Sequence, residues 1–242
     1  MSIFRTSAFV TALLLSATAC SDGGQGNAQQ TSGSDQASTI GDATFEAGTG
    51  VQIGAEDAPI TMLEYASITC SHCKDFHEDV VGAVFDDYVA SGKVKFIFRE
   101  FPLNQIDVAG FAVARCAGEE NYFAALDMFF DEQDAVISAA QDGTILEKLN
   151  EIGSGFGLDS DEVDTCINDS DVRRQIAASI DAGQADGVSS TPSIFVNGVR
   201  QETVESRSAE GMANILDGLL GEPANEAEAD TEDPAETNVN AD

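Results

Sequence analysis

The chain has 242 residues, of which 43% are hydrophobic, and its formal net charge at pH 7 is −32. That hydrophobic content suffices for one packed domain with extensions, so the composition excludes a protein that is disordered throughout. The negative charge excludes nucleic acids and anionic lipid surfaces as binding partners, because both would repel the protein.

The first twenty residues have the pattern of an export signal. Arg5 provides the positive end, residues 8–15 form an apolar stretch too short to span a bilayer, and small residues precede Cys20. Lipoprotein-type cleavage after residues 1–19 would leave a lipid on Cys20, whereas ordinary signal-peptidase cleavage would free a soluble protein. We favour the lipoprotein route, because a cysteine at the cleavage site otherwise has no purpose. Both routes predict a location in the periplasm or cell envelope, where disulfides persist.

Two segments have compositions that cannot form a core. Residues 20–48 are mostly Gly, Ser, Gln, Asp and Thr, which is typical of a flexible linker. Residues 222–242 contain eight acids, no base and no aromatic residue, and we expect a disordered acidic tail there. The folded part is therefore expected between residues 49 and 221.

The first part of this region predicts a strand, a helix and a second strand. Residues 60–66 are mainly apolar, with Glu64 among them, which indicates a buried strand. Apolar residues then recur at three- and four-residue steps over 71–90, as in an amphipathic helix. From 94 to 99, Val and Phe alternate with other residues, which predicts the second strand.

The remaining elements are a block of helices followed by a hairpin and a closing helix. Between 107 and 186 the apolar periods are helical only, and five helices are expected. An apolar strand at 193–196 is followed by Asn197 and Gly198, a two-residue hairpin signal because both turn positions require positive φ. The predicted order is β-α-β, helices, then β-β-α.

The motif Cys70-Ser71-His72-Cys73 lies at the predicted start of the first helix. Unpaired N–H groups and the helix dipole favour negative charge there, which lowers the pKa of a thiol. We expect Cys70 to be the exposed nucleophile and Cys73, one turn further and facing the core, to be the buried resolving thiol. His72 can add a hydrogen bond or a positive charge to the Cys70 thiolate. A stabilised thiolate makes the corresponding disulfide more oxidising.

The order of elements resembles a thioredoxin fold, and more narrowly the DsbA-like thiol:disulfide oxidoreductase family. The resemblance covers about 51–221, and it implies an α/β fold. A thioredoxin-like domain would comprise 49–105 and 170–221, with an all-helical domain, 106–169, inserted between the second and third core strands. It rests on five motifs: Asp57-Ala58-Pro59-Ile60, Glu64-Tyr65, Cys70-Ser71-His72-Cys73, Arg99-Glu100-Phe101-Pro102-Leu103 and Thr191-Pro192-Ser193-Ile194-Phe195-Val196-Asn197-Gly198.

The resemblance also implies how Thr191 and Pro192 act. In thioredoxin-like folds the corresponding proline is cis and its loop faces the dithiol, so this loop would offer a backbone edge to an extended client segment. The alternative is an ordinary turn proline before a strand. A membrane partner that passes electrons to quinone is a further implication of the family, and no cofactor is expected.

Glu64 and His77 each have two interpretations. Glu64 is either a partly buried carboxylate that exchanges a proton with Cys73, or an acid on a solvated face. His77, with His72 and the two cysteines, could bind zinc or copper by ligand type. We expect no metal, because His72 points away from the helix face of Cys73 and His77, and we expect His77 at the surface.

Cys116 and Cys166 fall on apolar faces of the predicted helices. An exported protein should not keep two idle thiols, so we predict a structural disulfide, which would stabilise the fold by about 4 kcal/mol. Two buried free cysteines are the alternative.

The leading hypothesis is an extracytoplasmic thiol:disulfide oxidoreductase that oxidises client proteins through the Cys70–Cys73 pair. A reductase or isomerase of the same fold is an alternative, which Thr191 keeps open. A non-enzymatic lipoprotein that binds a metal or holds clients is another. We expect a monomer that contacts a membrane only through a lipid on Cys20.

Overall fold

The computed structural model describes residues 44–46 and 50–221. The predicted signal peptide, Cys20, most of the predicted linker and the acidic tail lie outside these residues. Within the described residues, no helix is long and apolar enough to cross a bilayer.

Over residues 44–46 and 50–221, six strands form one mixed sheet in the order β1-β2-β4-β3-β5-β6. The parallel pair β3 and β4 is at its centre, and the other neighbouring strands are antiparallel. In the register of β3, Glu64 lies opposite Phe98 on one side and Ile194 on the other, so it is internal to the sheet. The strands are β1 Thr44–Glu46, β2 Gly50–Ile53, β3 Ile60–Ala66, β4 Val94–Glu100, β5 Ser193–Val196 and β6 Val199–Gln201.

Helices follow β3, fill the connection from β4 to β5, and close the fold. Two of them, α1 and α2, belong to one helix that is interrupted and extended by π turns at His77–Val81 and Phe85–Val89. The helices are α1 Ser71–Phe76, α2 Gly82–Val84, α3 Gln105–Cys116, α4 Tyr122–Asp131, α5 Gln133–Asp142, α6 Ile145–Gly155, α7 Ser160–Asn168, α8 Ser170–Ala185 and α9 Ala209–Leu220.

The helix predicted over 71–90 is confirmed, with a different local geometry. A π turn holds more residues than an α turn, so adjacent side chains can both face the core. Val80 and Val81 are both buried, as are Tyr88 and Val89. The π turns therefore make the buried face of this helix wider than the apolar face of a regular α-helix.

The sheet and the helical block, which comprises helices α3 to α8 between β4 and β5, share one hydrophobic core. The ring of Phe98 on β4 makes edge contacts with Phe111 on α3 and Tyr122 on α4, at centroid distances of 6.0 and 6.2 Å. All three side chains have no exposed surface. Aromatic pairs of this geometry add to the free energy of burial, so the block packs on the sheet as a continuation of its core.

A buried ion pair also joins β4 to α3. Arg115 Nε lies 2.7 Å from Glu100 Oε1, and Tyr122 donates its hydroxyl to the same oxygen at 3.0 Å. Glu100 is fully buried and Arg115 is 5% exposed. Because an unpaired charge there would be strongly destabilising, these partners fix the end of β4 against the helical block.

Three elements differ from the sequence predictions. The predicted linker over 20–48 ends early, because the Thr44–Glu46 backbone pairs with β2, and β2 itself is not predicted. Helix α5 is also missed, because Val136 is its only fully buried apolar residue and gives no helical period. The hairpin is confirmed, with φ of 48° at Asn197 and 76° at Gly198.

Substituting Gly110 tests how tightly α3 packs. A Cβ there would lie 2.2 Å from Ile68 Cδ1 and 3.2 Å from Phe129, so Gly110→Ala should lower the free energy of unfolding by about 1–3 kcal/mol. The control is Gly218→Ala in α9, where a Cβ meets no atom within 4 Å and should stabilise by about 0.5–1 kcal/mol. Urea unfolding measures both, and a Gly110→Ala protein as stable as wild type would contradict this packing.

Candidate active site

Cys70 and Cys73 lie at the start of α1 as free thiols. Cys70 is the residue before the first helical turn, and its carbonyl accepts the N–H groups of Cys73 at 3.0 Å and Lys74 at 3.2 Å. Cys73 has no exposed surface, whereas Cys70 is partly exposed. Of these two thiols, Cys70 is therefore the one that can meet the sulfur of another protein.

The surroundings of Cys70 lower the pKa of its thiol from 9.0 to about 5. The largest cause is the Cys73 thiol, which donates a hydrogen bond to the thiolate, while burial opposes the shift. The Thr191 side chain and the backbone N–H groups of Cys73 and His72 also stabilise the negative charge. Cys70 is therefore a thiolate at neutral pH.

The same contacts act on Cys73 in the opposite direction. Burial raises the pKa of the Cys73 thiol most, and the hydrogen bond to Cys70 and the charge of Glu64 raise it further. In the reduced protein one sulfur is thus charged and reactive, and the other keeps its proton.

The loop of Thr191 and Pro192 lies against Cys70. The peptide bond between them is cis, and the Cys70 Sγ donates to the Thr191 carbonyl at 3.5 Å. The Thr191 hydroxyl is buried and has no hydrogen-bond partner within 50–221, so it is available to donate to the Cys70 thiolate. Arg207 Nη2 donates to the Pro192 carbonyl at 3.0 Å and holds the far side of the loop.

Glu64 is fully buried in β3, and neither carboxylate oxygen has a hydrogen-bond partner within 50–221. Burial raises the pKa of Glu64 from 4.5 to about 7, although the positive charges of His77 and Arg207 act against the shift. The geometry favours the first interpretation of this residue, a buried carboxyl near Cys73 that can take up or release a proton at neutral pH.

The structure separates the two histidines. The His72 side chain is 81% exposed, with Nδ1 3.8 Å from Asp75, and its contribution to the Cys70 thiolate is made by the backbone N–H. His77 was expected at the surface, and this was wrong. It lies on the first π turn, is only 7% exposed, pairs with Asp127 and stacks on Phe130 at 4.6 Å.

Metal binding gains no support from this arrangement. His72 points to solvent, whereas His77 is buried on the π turn, so the two histidines do not converge on the thiols. No group of three or more His, Cys, Asp or Glu side chains suited to a metal occurs in the part of the chain that the structure describes.

Asp107 holds the cysteine loop, residues 67–70 between β3 and α1. This role of Asp107 was not identified from the sequence. Its carboxylate is fully buried and accepts from Ser67 Oγ at 2.8 Å, from the Thr69 N–H at 2.9 Å and from the Leu103 N–H at 2.7 Å. The nearby Asn104, which caps α3, was a local signal for a turn there, but the partners of Asp107 lie up to 40 residues away.

Cys116 on α3 and Cys166 on α7 are bonded, with an S–S distance of 2.06 Å and 6.2 Å between their Cα atoms. This bond closes a loop across 50 residues and ties two helices of the block together. It leaves Cys70 and Cys73 as the free pair of the described residues.

Comparison with known proteins agrees with this geometry. A family model described as thioredoxin matches residues 46–218, and the chain belongs to this family. The crystal structure of Wolbachia pipientis alpha-DsbA1 has a TM-score of 0.64 and 28% identity, covering 70% of this chain and 90% of that chain. BdbD from Bacillus subtilis matches in fold, with a TM-score of 0.55 and 20% identity over 76% of this chain and 98% of its own.

A curated relative from Rickettsia typhi, named "Putative protein-disulfide oxidoreductase", is 29% identical over 170 residues. The match covers 69% of this chain and 61% of that protein. The chain thus spans about three fifths of the length of such relatives. Together these matches confirm a DsbA-like thioredoxin fold with inserted helices.

The raised pKa of Glu64 makes stability depend on pH. The folded state holds the proton more tightly than the unfolded state, so stability is lost as pH rises from 4.5 to about 7. Glu64→Gln removes this loss, and its stability relative to wild type should increase by up to about 3 kcal/mol between pH 4 and pH 8. Chemical unfolding of the reduced proteins at both pH values measures the difference.

The control for that experiment is Glu202→Gln, because the Glu202 side chain is 79% exposed. Its stability relative to wild type should change little over the same pH range. If Glu64→Gln behaves as this control does, the Glu64 carboxyl is not a buried group that titrates near neutral pH.

Proposed function

We propose that this protein is an extracytoplasmic thiol:disulfide oxidoreductase that oxidises the thiols of client proteins through Cys70 and Cys73. The observation that carries the proposal is the opposite shift of two pKa values one helical turn apart, lowered at Cys70 and raised at Cys73. The similarity to proteins named disulfide oxidoreductases supports it.

The reaction starts from the Cys70–Cys73 disulfide. A client thiolate attacks the accessible Cys70 Sγ, the bond between Cys70 and Cys73 breaks, and its electron pair goes to Cys73 Sγ. Cys73 takes a proton as it becomes a thiol, and the protonated Glu64 carboxyl is a suitable donor because its pKa is about 7.

A second client thiolate then attacks the client sulfur of the mixed disulfide. The client leaves with a new disulfide, and Cys70 departs as a thiolate. Because its pKa is lowered to about 5, Cys70 is a good leaving group. Two electrons have passed from the client to the Cys70–Cys73 pair, which must be reoxidised before the next cycle.

The lowered pKa of Cys70 also supports the direction of transfer. Contacts that stabilise the thiolate stabilise the reduced enzyme relative to the disulfide, and this makes the disulfide a stronger oxidant. The opposite direction, reduction or isomerisation, is the second candidate, which the presence of Thr191 rather than an apolar residue before Pro192 keeps open.

Client binding would use the loop of Thr191 and Pro192. The loop lies beside Cys70, and an extended segment that pairs with its backbone would place a client sulfur close to Cys70 Sγ. Arg207 supports this loop from the side of the Pro192 carbonyl, so the loop would meet the client as a rigid edge.

The proposed location rests on the sequence, and the proposed recycling partner rests on the family resemblance. An N-terminal export signal, with Cys20 as a lipid attachment point, would place the domain in the periplasm or cell envelope at the end of the 20–48 linker. Reoxidation would use a membrane partner linked to quinone, and the domain would act as a monomer.

Replacing Cys70 tests the proposal. Cys70→Ser should oxidise a reduced, unfolded client protein no faster than buffer, because the Cys70–Cys73 disulfide that the client thiolate attacks cannot form. Cys73→Ser, mixed instead with a client that already carries a disulfide, should trap a mixed disulfide: the Cys70 thiolate attacks the client disulfide, one client thiolate leaves, and no Cys73 thiol is present to release the client. Free-thiol assays and non-reducing electrophoresis measure these outcomes.

The matched control replaces both cysteines of the other pair, Cys116→Ser with Cys166→Ser. This variant should lose about 2–5 kcal/mol of stability but keep most of the oxidation rate at a temperature where it remains folded. Equal rates for wild type and Cys70→Ser would refute the proposed function.

A further inference from the structure

Gln133, the first residue of α5, is the least expected contact of the cysteine loop. Its side chain is 3% exposed, and its Nε2 donates to the Ile68 carbonyl at 2.7 Å and to the Cys70 carbonyl at 3.1 Å. An amide nitrogen has two hydrogens, so these two bonds use both of them. The donor belongs to the helical block, whereas the loop belongs to the β3–α1 connection.

Thr69, which lies between Ile68 and Cys70, is also held by side chains of the helical block. The Thr69 N–H donates to Asp107 Oδ1 at 2.9 Å, and the Thr69 hydroxyl accepts from Asn104 Nδ2 at 2.8 Å. Asn104 and Asp107 lie at the start of α3. Ile68, Thr69 and Cys70 are therefore each fastened by a side chain of the helical block.

The Cys70 carbonyl links these hydrogen bonds to the chemistry of the Cys70 thiol. The oxygen that Gln133 binds also accepts the Cys73 N–H at 3.0 Å and the Lys74 N–H at 3.2 Å, which close the first turn of α1. The backbone N–H groups that stabilise the Cys70 thiolate, those of His72 and Cys73, belong to that turn. A rotation of the Cys70 peptide would move Sγ relative to these donors.

Gln133 also satisfies a carbonyl that is difficult to hydrate. Ile68 is 1% exposed, and a buried carbonyl without a partner costs about 1–3 kcal/mol. Without Gln133, the loop would relieve this cost by turning the carbonyl toward water, and Cys70 would move with it.

We propose that the helical block, chiefly through Gln133, positions the Cys70 sulfur at the start of α1 and thereby sets its reactivity. Gln133 is a positioning residue, because it acts through the Cys70 backbone and does not touch the sulfur. Its importance for client oxidation rests on the function proposed above, but its effect on the thiol does not.

The test compares two substitutions of the same type. Gln133→Met keeps the length of the side chain and removes both donors. Gln175→Met changes a glutamine of α8 whose Oε1 accepts from Arg115 at 2.7 Å, in the same block but on a different contact. The measurement is the thiolate absorbance of Cys70 against pH, together with the rate of its alkylation by iodoacetamide over the same pH range.

In wild type the pKa of Cys70 is about 5. We expect Gln133→Met to raise this pKa by about half to one unit, so that at any given pH the ratio of thiolate to thiol falls about threefold to tenfold. The midpoint of the alkylation rate against pH should rise by the same amount in this variant. Gln175→Met should titrate like wild type.

Equal shifts in both variants would show a general loosening of the block and would overturn the proposal, as would no shift in either. If Gln133→Met does not fold, Thr69→Val decides, because it keeps the shape of the side chain and releases the loop from Asn104. A rise in the pKa of Cys70 in that variant supports the proposal, and an unchanged titration overturns it.

These titrations are independent of client oxidation. A protein in which Gln133→Met shifts the thiol, but Cys70→Ser oxidises clients as wild type does, would retain the positioning role and lose the proposed function. The two claims therefore fail separately.

Discussion

The reactivity of this site depends on one hydrogen bond between two sulfur atoms. One sulfur lies at the N-terminal end of a helix, and the other lies one turn further along. Cys73 donates to Cys70, and this contact is the largest cause of the lowered pKa of Cys70. It requires that Cys73 keep its proton, which burial ensures. The difference in solvent exposure between two neighbouring sulfurs thus becomes a difference in reactivity, because a thiolate attacks and departs far more readily than a thiol.

Several elements of the fold contribute to the difference in reactivity between Cys70 and Cys73. Strand β3 lies between β4 and β5, which buries Glu64 without hydrogen-bond partners among the described side chains and backbone. Such a carboxyl destabilises the folded state at neutral pH, and its charge raises the pKa of the Cys73 thiol further. The loop of Thr191 lies against Cys70 from the other side, and the helical block holds the backbone before it. The Glu100–Arg115 pair fixes that block on β4.

Much of this site could be predicted from local sequence. The spacing of Cys70 and Cys73 after an apolar strand predicts which thiol is exposed and which is buried, since exposure follows from helix geometry. The order of elements and the Asn197-Gly198 turn give the architecture. What sequence could not provide is contact between distant segments. Gln133 is 63 and 65 residues from its partners, and α5 has almost no apolar period. His77 was assigned to the surface, although its four-residue spacing from Cys73 places it on the same helix face as that buried thiol.

The central claim is that the stabilised Cys70 thiolate makes the Cys70–Cys73 disulfide an oxidant. Equilibration of the purified protein with glutathione buffers, followed by quantification of the reduced and oxidised forms, gives the reduction potential of this pair. The account predicts a value much closer to about −120 mV, typical of a strong dithiol oxidant, than to about −270 mV, typical of thioredoxin. A potential at or below the thioredoxin value would contradict it and would favour a reductase.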